Sequence, residues 1–208
     1  MAGDFLLNNP ALDVFVLSGS PSEPCGGLQG LEARFPIAMA ILPRDIAAPE
    51  CRAMEARMLT AGTRILRGEA GLVLDLSPGA RLEVLAASPR GMVLGLSCGN
   101  ARFLLPLGAD PDLIDSLLHS GQMVSAQVLV LADGGDAAVN PPELFERLQA
   151  LAAVIGVEAD DRRGLPSPEV LKVLDGTTVL RTDRSGWIAF RTDGERLWVE
   201  VERPGTGR

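Results

Sequence analysis

Val16–Leu28, VLSGSPSEPCGGL, is the stretch on which the reading of this 208-residue chain turns. Val16 and Leu17 close a short apolar run that starts at Asp13. Gly26-Gly27-Leu28 open a segment in which Leu28, Leu31 and Phe35 recur at helical spacing. Between the two lies a loop of Ser, Gly and Pro residues, with Glu23 as its acidic residue and Cys25 as its thiol.

Outward from that stretch, strand-like and helix-like segments alternate. Ile37–Leu42 reads as a strand. Pro49–Leu59 reads as a helix, with Pro at its first position and Met54, Met58 and Leu59 on one face. A β-rich middle follows: Arg64–Leu66, Gly71–Leu76, Arg81–Ala86, Met92–Ser97 and Arg102–Leu107. Turn formers such as Ser77-Pro78-Gly79 and Cys98-Gly99-Asn100 punctuate it. Asp110–His119 has a helical period, Gln127–Leu131 is a strand, Pro141–Leu151 a helix and Ala153–Val157 a strand. Ser167 can cap a helix that runs to Leu174. Trp187–Arg191 and Arg196–Val201 flank Thr192-Asp193-Gly194, a hairpin signal. This pattern predicts a layered α/β fold, with one domain over residues 1–202 and a flexible tail over 203–208.

Composition narrows the function. Hydrophobic residues make up 47% of the chain and aromatics only 4%, so the core is expected to be aliphatic. No apolar run reaches the roughly 18–20 residues of a bilayer span, and MAGDFLLNNPALD lacks a basic leader region. The expectation is a cytoplasmic chain without membrane insertion. Cys25, Cys51 and Cys98 are widely spaced, which suits reduced thiols better than a disulfide framework. A net charge of -8 argues against DNA binding by the isolated chain. The lone lysine, Lys172, stands in LKVL, so no phosphate-binding G-x-x-x-x-G-K-[ST] loop is present.

The quoted stretch resembles V-L-T-H-x-H-x-D-H-x-G-G-L, the motif that ends a buried strand in metallo-β-lactamase-fold hydrolases. Four further segments are similar to one branch, the C-terminal hydrolase domain of bacterial ComEC-type DNA-uptake (competence) proteins. Gly79–Leu85 with Met92–Leu105 resembles that domain's paired strands, which run on into T-G-D. Val128–Asp136, VLVLADGGD, resembles V-L-K-V-P-H-H-G-S. Asp161–Leu171, DRRGLPSPEVL, resembles N-R-Y-G-H-P-H-P-E-V-L. The terminal LRTDRSGWIAFRTDGERLWVEVE resembles the closing hairpin.

The resemblance implies an αββα sandwich and, in active relatives, metal-dependent cleavage of DNA phosphodiesters. The frame is kept while the ligand positions are not. Histidine and aspartate are replaced by Gly19, Pro21, Glu23 and Pro24 in the first motif. Gly108 stands for the bridging aspartate. Asp133, Gly134, Leu165 and Ser167 stand for the later histidines. Two metals about 3.5–4 Å apart need several imidazoles and carboxylates, and glycine and proline offer neither. The expectation is a catalytically inactive relative with a vestigial, degenerate metal site, no cofactor, and an interaction or structural role. The alternative is a residual hydrolase or nuclease holding Mg²⁺ or Ca²⁺ weakly through Glu23, Asp133 and Asp136.

Relatives carry two or three strands and a D-G-G turn before the first motif, whereas Met1–Leu12 precede it in this sequence. The N-terminal sheet is therefore expected to be incomplete, with Asp13–Leu17 at or near an edge. A second copy or an upstream membrane-channel segment of a longer protein would cover that edge. In the latter case the chain would be membrane-associated.

Other chemistry is weaker. Gly95-Leu96-Ser97-Cys98-Gly99 fits G-x-S-x-G, with Asp110 or Asp112 and then His119 in hydrolase order. The strand-like Asn100–Leu107 that follows, however, makes Gly99-Asn100 a hairpin turn rather than a nucleophile elbow. His119 reads as a helix-end residue, Asp160-Asp161-Arg162-Arg163 as an exposed loop with local pairing, and Trp187 and Trp198 as packing residues. Cys25 and Cys98 have no histidine near them in sequence to activate a thiol.

Overall fold

The computed structural model describes residues 11–17, 25, 30–31, 34–46, 48–89, 91–121 and 125–204. Two sheets lie at its centre. The first is parallel, in the order β1-β2-β3, formed by Leu12–Val16, Ile37–Leu42 and Arg64–Arg67. The second has seven strands in the order β10-β9-β8-β7-β6-β5-β4. Its antiparallel half is β4 (Val73–Ser77), β5 (Ala80–Ala87), β6 (Met92–Cys98) and β7 (Ala101–Leu105). Its parallel half continues from β7 through β8 (Val128–Val130) and β9 (Ala152–Ile155) to β10 (Thr178–Arg181). A separate hairpin pairs β11 (Ile188–Thr192) with β12 (Leu197–Val201).

The strand period of two sorts side chains into layers. On β2, Ala40 and Leu42 point to one face, where they pack with Met54, Met58 and Cys51 of α1 (Pro49–Thr60). Ile41 points to the other face and meets Leu82, Val84, Met92 and Leu94 of the second sheet. On β6 the alternation repeats: Met92 and Leu94 face the first sheet, and Val93 faces outward with Leu104 of β7. That outer face is covered by α2 (Pro111–His119), α3 (Pro142–Leu148) and α4 (Pro168–Val173), through Ile114, Leu117, Leu144 and Val170. Each fully buried Leu or Ile contributes about 2 kcal/mol by leaving water. The layers run helix, sheet, sheet, helix, as the sequence resemblance implies.

Local chemistry fixes the ends. The Asp110 side chain accepts the Leu113 N–H at 2.8 Å and caps α2, with Pro111 in its first turn. The α3 helix stops at Leu148, short of the expected Leu151, because Gln149 turns left-handed at φ 48°. Gly68, just past β3, has the Met92 sulfur against it; an added Cβ would lie 1.8 Å from that atom. Any larger residue would require the Met92 side chain to move.

Several expectations change. Cys25 and Cys51 are joined as a disulfide with Cα atoms 5.2 Å apart, so they are not the reduced thiols that spacing suggested. Cys51 lies in the first turn of α1 and brings Cys25 to the outer face of the first sheet, a long-range contact that spacing does not announce. Cys98 is free. The strand β10 and the one-turn helix α5 (Thr182–Ser185) were not anticipated. Ser167 precedes α4 but makes no side-chain cap. Trp198 is 46% exposed rather than packed. Gly99-Asn100 is a hairpin turn between β6 and β7, which removes the elbow reading. His119 ends α2 with an exposed ring, its Nδ1 2.8 Å from the Asp115 carbonyl. Among the described residues β1 pairs with β2 alone, at the end of its sheet. Among them too, no helix is long and apolar enough to cross a membrane.

Candidate functional site at the carboxyl ends of the parallel strands

Neighbouring parallel strands deliver their following loops to one end of a sheet, where α/β folds hold their ligands. In this chain the loops after β7, β8 and β9 emerge together. The first carries Gly108, at φ 70° in an exposed turn closed by the Ala109 N–H on the Pro106 carbonyl, 3.4 Å. The second carries Asp133 and Gly134, and the third Leu165 and Ser167.

The loop after β8 is wound tightly. Asp133, Gly134 and Gly135 have φ of 42°, 66° and 84°, three left-handed residues in a row. For Asp133 that conformation is costly without outside support. Asn140, 2% exposed, supplies it. Its Oδ1 accepts the Ala132 N–H at 3.1 Å, and its Nδ2 donates to the carbonyls of Ala132 at 2.9 Å and Asp136 at 2.7 Å. Asp136 Oδ1 accepts the Ala138 N–H at 2.9 Å and starts a 3₁₀ turn over Ala137–Val139.

The loop before α4 closes against it. The Ser167 N–H donates to the Gly135 carbonyl at 3.0 Å, and Ser167 Oγ accepts the Ala137 N–H at 3.1 Å. Ser167 therefore spends its hydroxyl on the neighbouring loop instead of its own helix. Leu165 lies over Gly134, where an added Cβ would stand 3.2 Å from its Cδ1. Pro166, after a cis bond, lies over Gly135, where an added Cβ would stand 2.7 Å from the proline Cβ. Asp161 Oδ1 accepts the N–H groups of Arg163 and Leu165 at 2.8 and 3.3 Å and shapes the turn between them.

Asp133 faces a cation. Arg163 Nη1 donates to both its carboxylate oxygens, at 3.0 and 2.9 Å. The hydrogen bond to Asp133 raises the Arg163 pKa above its ordinary value, with Asp161 and Asp136 adding to the effect and burial opposing it. The pairing across thirty residues is closer than the expected local one to Asp161, which stands at 3.8 Å.

Four predicted positions, Asp133, Gly134, Leu165 and Ser167, thus meet in one place, and Gly108 sits on the loop of the next strand. Gly19, Pro21, Glu23 and Pro24 lie outside the described residues. Asn140 and Arg163 were missed as site residues. Asn140 stands between Val139 and Pro141-Pro142, where it reads as a loop residue, and Arg163 reads in sequence as part of an exposed charged loop with local pairing. The residues described at this mouth do not fit a two-metal centre. Asp133 is held by a guanidinium, the space beside Gly134 is filled by Leu165, and Gly108 has no carboxylate. Among the described residues no three His, Cys, Asp or Glu side chains are grouped so as to hold a metal ion.

A second concavity, of about 420 Å³, opens at the amino ends of the same strands, between Gln127, Leu151 and Thr178 on one side and Phe190, Leu197 and Trp198 on the other. The hairpin that roofs it is tied down at its tip. The Asn100 N–H donates to the Gly194 carbonyl at 2.6 Å, and Phe190 meets Phe103 edge-on at 5.5 Å.

Solved structures resemble this fold. A protein from Parabacteroides distasonis assigned as a metal-dependent hydrolase is 12% identical over 85% of this chain and 78% of its own, with a TM-score of 0.51. A protein from Thermotoga maritima assigned as a Zn-dependent hydrolase of the metallo-β-lactamase superfamily is 10% identical over 81% and 88%, with a TM-score of 0.45. Zn²⁺-bound PqqB from Methylobacterium extorquens is 13% identical over 58% and 56%, with a TM-score of 0.34. No family model and no curated protein matches the sequence. The fold is mixed α/β of the metallo-β-lactamase type.

Proposed function

We propose that this chain is a catalytically inactive protein of the metallo-β-lactamase fold, related to the C-terminal domain of ComEC-type DNA-uptake proteins, with an interaction or structural role. The reading takes residues 1–202 as one degenerate domain and 203–208 as a tail. It takes Gly19, Pro21, Glu23, Pro24, Gly108, Asp133, Gly134, Leu165 and Ser167 as the vestiges of a metal site. Its partner is a second copy or an upstream channel segment of a longer protein.

The observation that supports it is the Asp133–Arg163 ion pair with Leu165 seated over Gly134. A metal site needs neutral imidazoles and ionised carboxylates aimed at one point, with supporting groups behind them. At this mouth the carboxylate is neutralised by an arginine and an aliphatic side chain fills the adjoining space. The supporting groups bond to one another. Fold alone carries no activity, so the inference rests on these contacts.

The test is elemental analysis of the purified chain, combined with a nuclease assay in added Mn²⁺ and Zn²⁺. We expect no stoichiometric transition metal and no cleavage above a metal-only blank. One tightly held metal per chain, or cleavage abolished by Asp133→Asn, would establish the residual hydrolase instead.

A further inference from the structure

We infer that β12 is a self-pairing edge through which two copies of this chain associate, antiparallel, about Val199. The inference names a partner surface for the interaction role proposed above. It rests on that reading for its biological sense but not for its geometry.

Among the described residues β12 is bonded to β11 alone, so its other edge presents unpaired backbone donors and acceptors. Such an edge is a template for another strand unless proline, lysine or a covering segment blocks it. Leu197–Val201, LWVEV, contains neither proline nor lysine, and Trp198 and Val199 are each 46% exposed. Both ends of the edge are held in place. Asp193 Oδ1 accepts the N–H groups of Glu195 and Arg196 at 2.9 and 2.7 Å. At the far end, the Glu202 and Arg203 N–H groups donate to the carbonyls of Trp187 and Ser185, each at 3.0 Å. The edge is therefore ordered before any partner arrives, which lowers the entropy lost on pairing.

What selects a second copy as the occupant is the order of charges. From Glu195 to Arg203 the sequence reads ERLWVEVER. Laid antiparallel on itself about Val199, Glu195 falls opposite Arg203 of the other copy, Arg196 opposite Glu202, Leu197 opposite Val201 and Trp198 opposite Glu200. Every charged pair at the flanks is of opposite sign, and symmetry makes each pair twice. A one-residue slip in either direction sets Glu195 against Glu202 or Arg196 against Arg203, and it also turns the apolar faces over. Cross-strand opposite charges favour a pairing and like charges disfavour it. Glu195, Arg196, Glu202 and Arg203 are all exposed, although Glu202 Oε2 also accepts a long bond from the Trp187 N–H at 3.4 Å.

Sedimentation velocity of the full chain, from micromolar to millimolar concentration, is the measurement. We expect a reversible monomer–dimer equilibrium. Arg196→Glu alone and Glu202→Arg alone each create two like-charged contacts and should raise the dimer dissociation constant about tenfold. An equimolar mixture of the two variants restores opposite charges at both contacts and should return to the wild-type constant. Glu195→Arg and Arg203→Glu form a second complementary pair, which keeps the test sound if one variant in the first set does not fold. A wild-type chain that stays monomeric throughout would overturn the inference. So would a dimer that both charge reversals leave unchanged, which would assign association to another face such as the β1 edge. Metal analysis is blind to all of these outcomes, so failure here and failure of the inactive-enzyme reading are told apart.

Discussion

The two ends of the parallel strands differ in what their polar groups face. At the carboxyl ends, Asn140 satisfies Ala132 and Asp136 within the loop after β8, and the loop after β9 bonds to it through Ser167 with Gly135 and Ala137 and Arg163 with Asp133. At the amino ends, the β11–β12 hairpin roofs an open concavity and leaves Trp198, Val199 and nearby Leu151 exposed. Among the described residues, the end where α/β folds hold their ligands is tied loop to loop, and the other end carries surface that solvent alone does not favour. The difference teaches that the loops at one end of a sheet can serve stability by bonding to one another, while the other end leaves apolar surface in water.

The largest effect that would break this comparison lies at Asn140. Asn140→Ala strands the buried Ala132 N–H, removes the bonds from Nδ2 to the carbonyls of Ala132 and Asp136 (the latter keeping the Val139 N–H at 3.3 Å), and leaves Asp133 in its left-handed conformation without that support. Each unsatisfied buried group costs about 1–3 kcal/mol, partly relieved by water, so the expected loss is about 3 kcal/mol. Urea unfolding with an unchanged slope would measure it. A loss below about 1 kcal/mol would mean that the closed mouth is not a stability element.

How much of this was legible follows from the kind of force involved. Hydrophobic periodicity is local, so Ile37–Leu42, Pro49–Thr60 and Met92–Cys98 stand in the structure within a residue of where the pattern puts them. The Gly194 turn and the Asp110 cap are local too. What failed is non-local. Thr178–Arg181 is short, follows Gly176, and becomes a strand only because it registers on Ala152–Ile155. Cys25 and Cys51 are 26 residues apart and need the first sheet to bring them together. Asp133 and Arg163 meet only once β8 and β9 are side by side. In the candidate site the sequence shows that the glycine and proline positions have no side chain able to ligate. It does not show that Arg163 meets Asp133 or that Leu165 lies over Gly134.

A middle-sized effect lies where the chain passes from the second sheet to the hairpin. Arg181 holds Asp183 in a two-pronged pair at 2.9 and 2.6 Å, with both side chains largely buried. The hydrogen bond from Arg181 draws the Asp183 carboxyl below its ordinary 3.8, against the opposing pull of burial. A carboxyl whose pKa is lower folded than unfolded stabilises the fold fully above the unfolded value. That contribution fades as pH falls through the folded one. Asp183→Asn should therefore cost about 1 kcal/mol at neutral pH, and the gap from wild type should close in acid. Parallel urea titrations at neutral and acid pH would test it. A gap that persists unchanged in acid would show that the pair contributes by packing rather than charge.

The smallest expected effect gives the sharpest reading of the mouth. Arg163 and Asp133 are about half exposed, at 55% and 53%, and water screens such a pair. Arg163→Met keeps much of the side chain's length and removes its charge, so the expected change in unfolding free energy is within about 0.5 kcal/mol. The Asp161 turn should survive, since it is made by the backbone N–H groups of residues 163 and 165 and not by the guanidinium. The ion pair would then be a charge-neutralising contact laid over a loop that Asn140 and Ser167 already hold. If Arg163→Met instead cost as much as Asn140→Ala, the order of importance within the mouth would be reversed. The left-handed turn at Asp133 would then depend on its side-chain partner, and the ion pair rather than Asn140 would hold the loop closed.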